Sequence, residues 1–293
     1  MSYTILYNPN AGSGTGTAGA REVERFLSGE EATFYDMTQI QDYARFFRSL
    51  DPDSRLVLCG GDGTLNRYVN EAMPYSGGRS VSYFATGTGN DFLCDIGHKK
   101  EEGPVCIDAY LRSLPQVTVG DRTYSFLNGV GYGIDGYCCQ EGDRLREKSQ
   151  AAVNYTAIAV KGLLFHYHPT HADITVDGRT YHYDRVWLAP TMNGRFYGGG
   201  MMPTPEQDRQ NPEHTVSTMV YYGSGKLKSL AVFPSIFKGE HLRHTEMTQV
   251  LTGHDITVTF DRPTAIQIDG ETILNVSSYT VHSQAQTNGT SAE

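Results

Sequence analysis

Arg55-Leu56-Val57-Leu58-Cys59-Gly60-Gly61-Asp62-Gly63-Thr64-Leu65-Asn66 is the stretch whose reading decides the fold. A short apolar run of strand length stops at paired glycines. Leu65, Tyr68, Val69 and Ala72 then recur at helical spacing, so a strand enters a glycine loop and leaves as a helix. Such a junction gathers backbone N–H groups at a helix start, and glycines let a phosphate approach without Cβ collisions. An aspartate inside the loop would repel a bare phosphate. Asp62 makes sense if it meets the phosphates through a hydrated Mg²⁺. The plainer alternative is a tight turn in which Asp62 caps the helix.

Working outward, the same alternation fills the first third of the chain. Tyr3–Tyr7 reads as a strand, followed by a glycine-rich turn and a helix face at Val23, Phe26 and Leu27. Thr33–Asp36 is a second strand. Ile40, Tyr43, Phe47 and Leu50 give another helix, stopped at Asp51-Pro52, and Val81–Ala85 is a further strand beyond the central loop. Strands alternating with helices of this length predict βαβ units and a largely parallel sheet. A second glycine loop, Thr86-Gly87-Thr88-Gly89-Asn90-Asp91-Phe92, follows the last of these strands. Loops after neighbouring parallel strands face one crevice at the carboxyl edge of the sheet. Thr88 can hydrogen-bond a phosphate there, while Asn90 or Asp91 caps the next helix.

The first loop, Asn8-Pro9-Asn10-Ala11-Gly12-Ser13-Gly14, contains Gly14-x-Gly16-x-x-Gly19, with Asp36 further on. That pattern invites a dinucleotide-binding reading and an NAD-dependent oxidoreductase. In the dinucleotide fingerprint, however, the glycines follow the strand directly. Here Asn8 to Ala11 intervene, and two more glycine loops stay unexplained.

From about Val117 the character changes. Hairpin signals stand at Val119-Gly120-Asp121-Arg122 and Val176-Asp177-Gly178-Arg179, each between β-prone runs. Further strands are predicted over 184–192, 215–222, 247–251, 255–260 and 264–268, with helical intervals near 143–166 and 225–237. These observations predict an α/β nucleotide-binding domain over 1–118, a β-rich domain over 119–284, and a disordered polar tail over 285–293. The 293 residues suffice for two domains.

A net charge of −9 argues against nucleic acid as a partner, since phosphate neutralisation needs the opposite sign. Any membrane contact must therefore be local. No basic and apolar leader opens the chain, and the five cysteines lack metal-ligand spacing, so a reduced cytoplasm is the expected compartment. A homodimer is compatible with the sequence.

Together the three loops resemble the diacylglycerol-kinase catalytic-domain family. That family takes in bacterial diacylglycerol and related lipid kinases, sphingosine kinases and ceramide kinases, with NAD kinases and phosphofructokinases as distant relations. The pieces are NPNAGSG at 8–14, GGDGTLN at 60–66, GTGNDF at 87–92, NGVGYGID at 128–135, YGGGMMPTP at 197–205 and IDGE at 268–271. The resemblance implies a parallel-sheet N-terminal domain, a C-terminal β-sandwich and ATP in the cleft between them. It also implies transfer of the γ-phosphate to a lipid hydroxyl with Mg²⁺, in phospholipid metabolism, on a lipid presented at a membrane surface.

Carried over residue by residue, Asn8, Pro9, Thr38, Gly60, Gly61, Asp62, Gly63, Thr64, Leu65, Asn66, Thr88 and Gly89 are the nucleotide positions. Asp62 acts through Mg²⁺. Glu271 matches the proton acceptor, with Asp269 the competing candidate. Asp135 matches an acid that faces the acceptor head group in sphingosine kinases. Many bacterial members bind a structural Mg²⁺ through a Pro-x-Ala…Asp-Asp-Gly-x-Leu-Asp segment. In the corresponding run here, Pro203 to His214, only Asp208 matches.

The residues themselves leave alternatives open. Asp269 and Glu271 flank Gly270 after a β-run. If that segment is extended, both acids point to one face; the alternative is a solvated hairpin tip. Asp135 is also a natural N-cap for a helix near 137–148. Leu230, Phe233, Ile236 and Phe237, with Lys226, Lys228 and Lys238 nearby, form either a membrane-facing surface or an ordinary core face. A NAD kinase-like small-molecule kinase and a non-catalytic nucleotide-binding protein are the remaining readings.

Overall fold

A computed structural model describes residues 2–87, 89–148 and 153–283. The expected tail and Thr88 lie outside the described residues. The chain divides into two units, Met1–Arg112 with Gly198–Gly200, and Ser113–Tyr197 with Met201–Glu293.

In the first unit, β1 (Ser2–Tyr7) is followed by the short helices α1 (Ala11–Gly14) and α2 (Gly16–Arg21). Next come β2 (Glu31–Asp36), α3 (Tyr43–Ser49), β3 (Arg55–Gly60) and α4 (Asp62–Arg67), the last prolonged as a π-helix through Tyr68–Ala72. β4 (Val81–Ala85), α5 (Asp91–Asp95), β5 (Val105–Cys106) and α6 (Asp108–Leu111) complete it. The sheet order is β2-β1-β3-β4-β5. The first four strands are parallel, and β5 pairs antiparallel with β4. Ile5, Val23, Leu27, Val57 and Phe84 close one core against this sheet. The chain winds from β1 outward to β2, then back past β1 to β3. That reversal is the topological switch at which open α/β sheets bind ligands.

The second unit begins with β6 (Gln116–Val119) and β7 (Arg122–Ser125), joined at the predicted Gly120-Asp121 turn. β8 (Gly129–Tyr132) runs into α7 (Ile134–Lys148), and α8 (Tyr155–Lys161) continues as a π-helix over Gly162–His166. β9 (Thr170–Val176) and β10 (Arg179–Val186) form the second predicted hairpin. β11 (Thr191–Met192), β12 (Val216–Tyr221), α9 (Lys226–Val232), β13 (Thr248–Gly253), β14 (Asp255–Ile268) and β15 (Glu271–His282) follow. All pairings in this ten-stranded sheet are antiparallel. It folds as a sandwich around Val130, Tyr132, Ile174, Val258, Ile266 and Tyr279.

Three expectations are refined here. β6 pairs with β15, and the two units divide at Arg112/Ser113, near the expected 118/119. β14 is one strand where two were predicted. Asp261-Arg262-Pro263 does not end it, because the missing proline N–H is absorbed where the pairing with β15 shifts register between Thr259 and Ile266. Its first half pairs with β9 and its second half with β8, which lets one strand serve both parts of the sandwich. Finally, Ile236 is buried while Leu230 and Phe233 pack half-buried against a core of Leu163, Trp187 and Met219. The 226–237 face is mainly core. Among the described residues no helix is long and apolar enough to cross a membrane.

Candidate active site

All three glycine loops leave the carboxyl ends of their strands, and they meet at backbone level. A Cβ on Gly87 would lie 2.6 Å from Gly61 Cα, and one on Gly12 would lie 2.7 Å from Thr86 O. The Gly60 carbonyl accepts from Thr86 N at 2.7 Å and from the buried Tyr83 hydroxyl at 2.9 Å. Burial pushes that phenol well up from its ordinary range. The glycines of the apparent dinucleotide pattern are used for packing. A side chain on Gly16 would strike Asn8 O at 2.0 Å, and one on Gly19 would press on Thr86 at 3.0 Å. Gly87→Ala is expected to cost about 1–3 kcal/mol, because the obstacle is backbone and cannot rotate away. A thermal melt measures that cost, and nucleotide binding should fall with it.

Asp62 opens α4, and its carboxylate reaches the next loop. Its Oδ2 accepts from Asp91 N and its Oδ1 from Phe92 N, both at 2.9 Å. The acid of one phosphate-type loop thus caps the helix that follows the other. Asn90, at the N-cap position, has left-handed backbone (φ 50°) and makes no side-chain cap. Asp91 in turn accepts from Gly199 N at 2.8 Å and Gly200 N at 2.7 Å. A Cβ on Gly89 would sit 3.8 Å from Asp91 Oδ2 and 3.9 Å from Asp62 Oδ2, so both carboxylates border one gap that glycine leaves open. Thr86 Oγ1, near Gly19, and Asn90 Oδ1, near Gly87, are buried without a protein partner.

In the second unit the Asp269-Gly270 turn joins β14 to β15, with φ of 47° and 96°. The backbone is not extended there, so the two acids part. Asp269 is buried and accepts from Leu127 N (2.7 Å), Asn128 N (2.8 Å) and Gly129 N (3.0 Å). Glu271 is exposed at the first position of β15.

Residues 2–120 match the family described as Diacylglycerol kinase catalytic domain, and residues 128–284 match the YegS C-terminal NAD kinase beta sandwich-like domain. The chain belongs to the diacylglycerol kinase catalytic-domain family, with a YegS-type C-terminal domain. A Staphylococcus aureus relative named "Putative lipid kinase" is 26% identical over 288 residues, covering 92% of this chain and 88% of its own. A solved structure titled as a "putative diacylglycerol kinase" from Bacillus anthracis superposes with a TM-score of 0.66 at 17% identity, covering 96% of this chain and 91% of that one. Another, titled as a diacylglycerol kinase from the same organism, gives 0.61 at 16%, covering 96% and 93%. At such identities the superpositions speak for the fold.

In this member of the diacylglycerol kinase catalytic-domain family the remaining predicted residues are placed as follows. Asn8 Oδ1 accepts from Asn10 N at 3.0 Å, which shapes the first loop around Pro9. Thr38 is turned back on Asp36, to which its amide and hydroxyl both donate. Thr64, Leu65 and Asn66 are buried. At Gly60 a Cβ would meet Thr64 Oγ1 at 2.2 Å, so Gly61, Asp62 and Gly63 line the loop while the next three pack beneath it. Asp135 is not an N-cap. It lies inside the first turn of α7, buried, and accepts from Gln267 Nε2 at 2.9 Å. Burial raises its carboxyl to about 6.

Among the described residues no set of metal-ligating side chains gathers around Asp208. Asp208 is exposed, and its Oδ1 accepts from Gln210 N at 2.9 Å in a local turn. The neighbouring Arg209 guanidinium donates to Leu127 O and Asn128 Oδ1, and no group of three metal-ligating side chains occurs among the described residues. A catalytic Mg²⁺ is a different matter, since that ion uses one or two carboxylates and completes its shell with phosphate and water. Asp62 and Asp91, whose carboxylates border the gap at Gly89, fit it. Sequence reading missed the part played by Gly198–Gly200. Their φ values of 61°, 82° and 103° point two successive amides at Asp91, and three consecutive glycines were the available signal.

Proposed function

We propose that this protein is an ATP-dependent kinase that phosphorylates a hydroxyl of a lipid, diacylglycerol or a close relative. The observation that carries the reading is the meeting of three glycine loops at the switch point of the parallel sheet, with Asp62 and Asp91 bordering one gap. Asn8, Pro9 and the 60–63 loop receive the nucleotide, and the backbone amides of the glycines answer the phosphate oxygens. Asp62 and Asp91 would hold Mg²⁺, which neutralises phosphate charge during transfer. Thr88 and Gly89 belong to the same loop.

Glu271 takes the proton of the acceptor hydroxyl as it attacks. Asp269 is unsuited to that task because three backbone amides already occupy its carboxylate. Its role is to hold the turn from which Glu271 projects.

The lipid is met at a local surface. Phe165 and Leu227 are 68% and 79% exposed, and Lys226 Nζ donates to Leu164 O at 3.2 Å, tying their two segments together. Segments 153–172 and 214–239 contain no acidic residue in a chain of net charge −9. They carry Lys161, Lys226 and Lys238, and also Lys228, which pairs with Glu246 at 2.6 Å. Large apolar side chains with lysines beside them suit an anionic bilayer interface. Phe165→Asp combined with Leu227→Asp should weaken sedimentation with phosphatidylglycerol vesicles about tenfold or more, with no loss of ATP binding. Unchanged sedimentation would remove this surface from the account.

The test of the function is incubation with Mg²⁺, γ-labelled ATP and a panel of diacylglycerol, a sphingoid base and a long-chain polyprenol in mixed micelles, with NAD in a parallel tube. Label in a lipid supports the proposal and identifies the acceptor class. Label in NAD alone moves the protein to the NAD kinase branch.

A further inference from the structure

We infer that Gln267 is a positioning residue for Glu271, locked in its working orientation by Asp135 of helix α7. The inference rests on the proposed role of Glu271. Gln267 is buried on β14, two residues before the turn. Its Nε2 donates to Asp135 Oδ2 at 2.9 Å, while its Oε1 accepts from Gly270 N at 2.5 Å. The Gly270 N–H belongs to the Asp269–Gly270 peptide, one peptide before Glu271, so this bond fixes the turn through which the chain reaches Glu271.

Chemistry decides which way the amide faces. An ionised carboxylate only accepts hydrogen bonds. Facing Asp135, the Gln267 side chain must therefore present its NH₂, and its oxygen is left for Gly270. Reversed, it would aim NH₂ at an N–H and leave two buried donors opposed, a costly arrangement.

The surroundings are built to permit this contact. A Cβ on Gly131 would lie 1.6 Å from Asp135 Oδ2 and 2.6 Å from Gln267 Nε2, and one on Gly136 would lie 1.9 Å from Ala265 O. Both glycines let α7 descend onto the hairpin. Eight residues along the same helix, Asp143 Oδ2 accepts from Thr272 Oγ1 at 2.6 Å, so α7 grips the residue after Glu271 as well. The titratable groups near Asp135 are Cys138 and Cys139 on its own helix. Burial pushes both thiols up, which keeps them neutral. From β14 the uncharged Gln267 faces it, and from β8 Gly131.

The test uses the full chain with three variants. In Gln267→Met the Gly270 amide loses its acceptor. Its hydrogen exchange, followed by NMR, should accelerate about tenfold or more. With diacylglycerol micelles, kcat should fall about 10–100-fold at unchanged KM for ATP, as expected for a misplaced catalytic group. Gln267→Glu sets two buried carboxylates against each other, so one must hold a proton. Its activity should be low at pH 8 and recover toward pH 6. Asp135→Asn combined with Gln267→Glu exchanges amide and acid across the same bond and should restore kcat at both pH values. A purely structural pair would recover melting temperature without this pH pattern.

Unchanged Gly270 exchange in a folded Gln267→Met protein overturns the inference. So does wild-type kcat in that variant while Glu271→Gln is inactive. A fully active Glu271→Gln is recognisable on its own: it removes the functional reading and this inference with it.

Discussion

Replacing Asp62 by alanine is expected to lower phosphoryl transfer by about 10³-fold or more, as befits loss of a group that neutralises transition-state charge. The structural cost should be far smaller. Asp62 accepts from Asp91 N and Phe92 N, and losing a helix cap costs about 1–2 kcal/mol. The two roles separate in Asp62→Asn. An asparagine oxygen can still accept from one of the two amides, so part of the stability returns, but a neutral amide is a poor partner for Mg²⁺. If Asp62 were only a cap, Asp62→Asn would recover activity in step with its melting temperature. On the present account it stays inactive while the melt recovers.

The second large effect is a contrast between neighbours. Asp269→Ala leaves the buried amides of Leu127, Asn128 and Gly129 without their acceptor. Unsatisfied buried donors cost about 1–3 kcal/mol each, so a loss of about 3 kcal/mol or more is expected. For a protein of this size that amounts to a fall in melting temperature of about 6–12 °C. Glu271→Gln should do the opposite. The residue is exposed, so stability should stay within about 0.5 kcal/mol, while kcat falls about 10²–10⁴-fold with loss of the proton acceptor. Thermal melts and initial rates on the same preparations separate the two. Equal damage to both quantities in both variants would show that the turn acts as one structural piece and would dissolve the assignment.

The first unit was legible because its signals are local. Each strand ends in glycines, and each helix shows its face within a few residues, as at Leu65, Tyr68, Val69 and Ala72. The second unit was harder to read. β8 is rich in glycine, and its Gly-Val-Gly-Tyr shows no clear alternation that would mark a strand. Yet all four of its residues are buried, and the glycines are there because Met192 and Asp135 occupy the space a side chain would need. β15 begins at the turn and alternates only weakly, with Leu274 52% exposed, so no period marked it as a strand.

At the site, residue types were visible but their partners were not. Asp62 could be read as cap or metal ligand, and it caps a helix that begins twenty-nine positions later. Asp135 suggested an N-cap or a substrate contact. Its partner, Gln267, lies 132 positions away, a distance over which sequence pattern carries no information. The two acids around Gly270 were expected on one face. The left-handed backbone at Asp269 separates them, and that conformation depends on three amides supplied by a distant loop.

The central claim is tested most directly by γ-phosphoryl transfer from ATP to diacylglycerol in mixed micelles with Mg²⁺, comparing the wild-type protein with Asp62→Ala and Glu271→Gln. The account predicts labelled phosphatidic acid from the wild-type protein, and at least about a hundredfold less from each folded variant. Equal labelling by all three would contradict it, since the product would then owe nothing to the glycine-loop acid or to the residue assigned as proton acceptor.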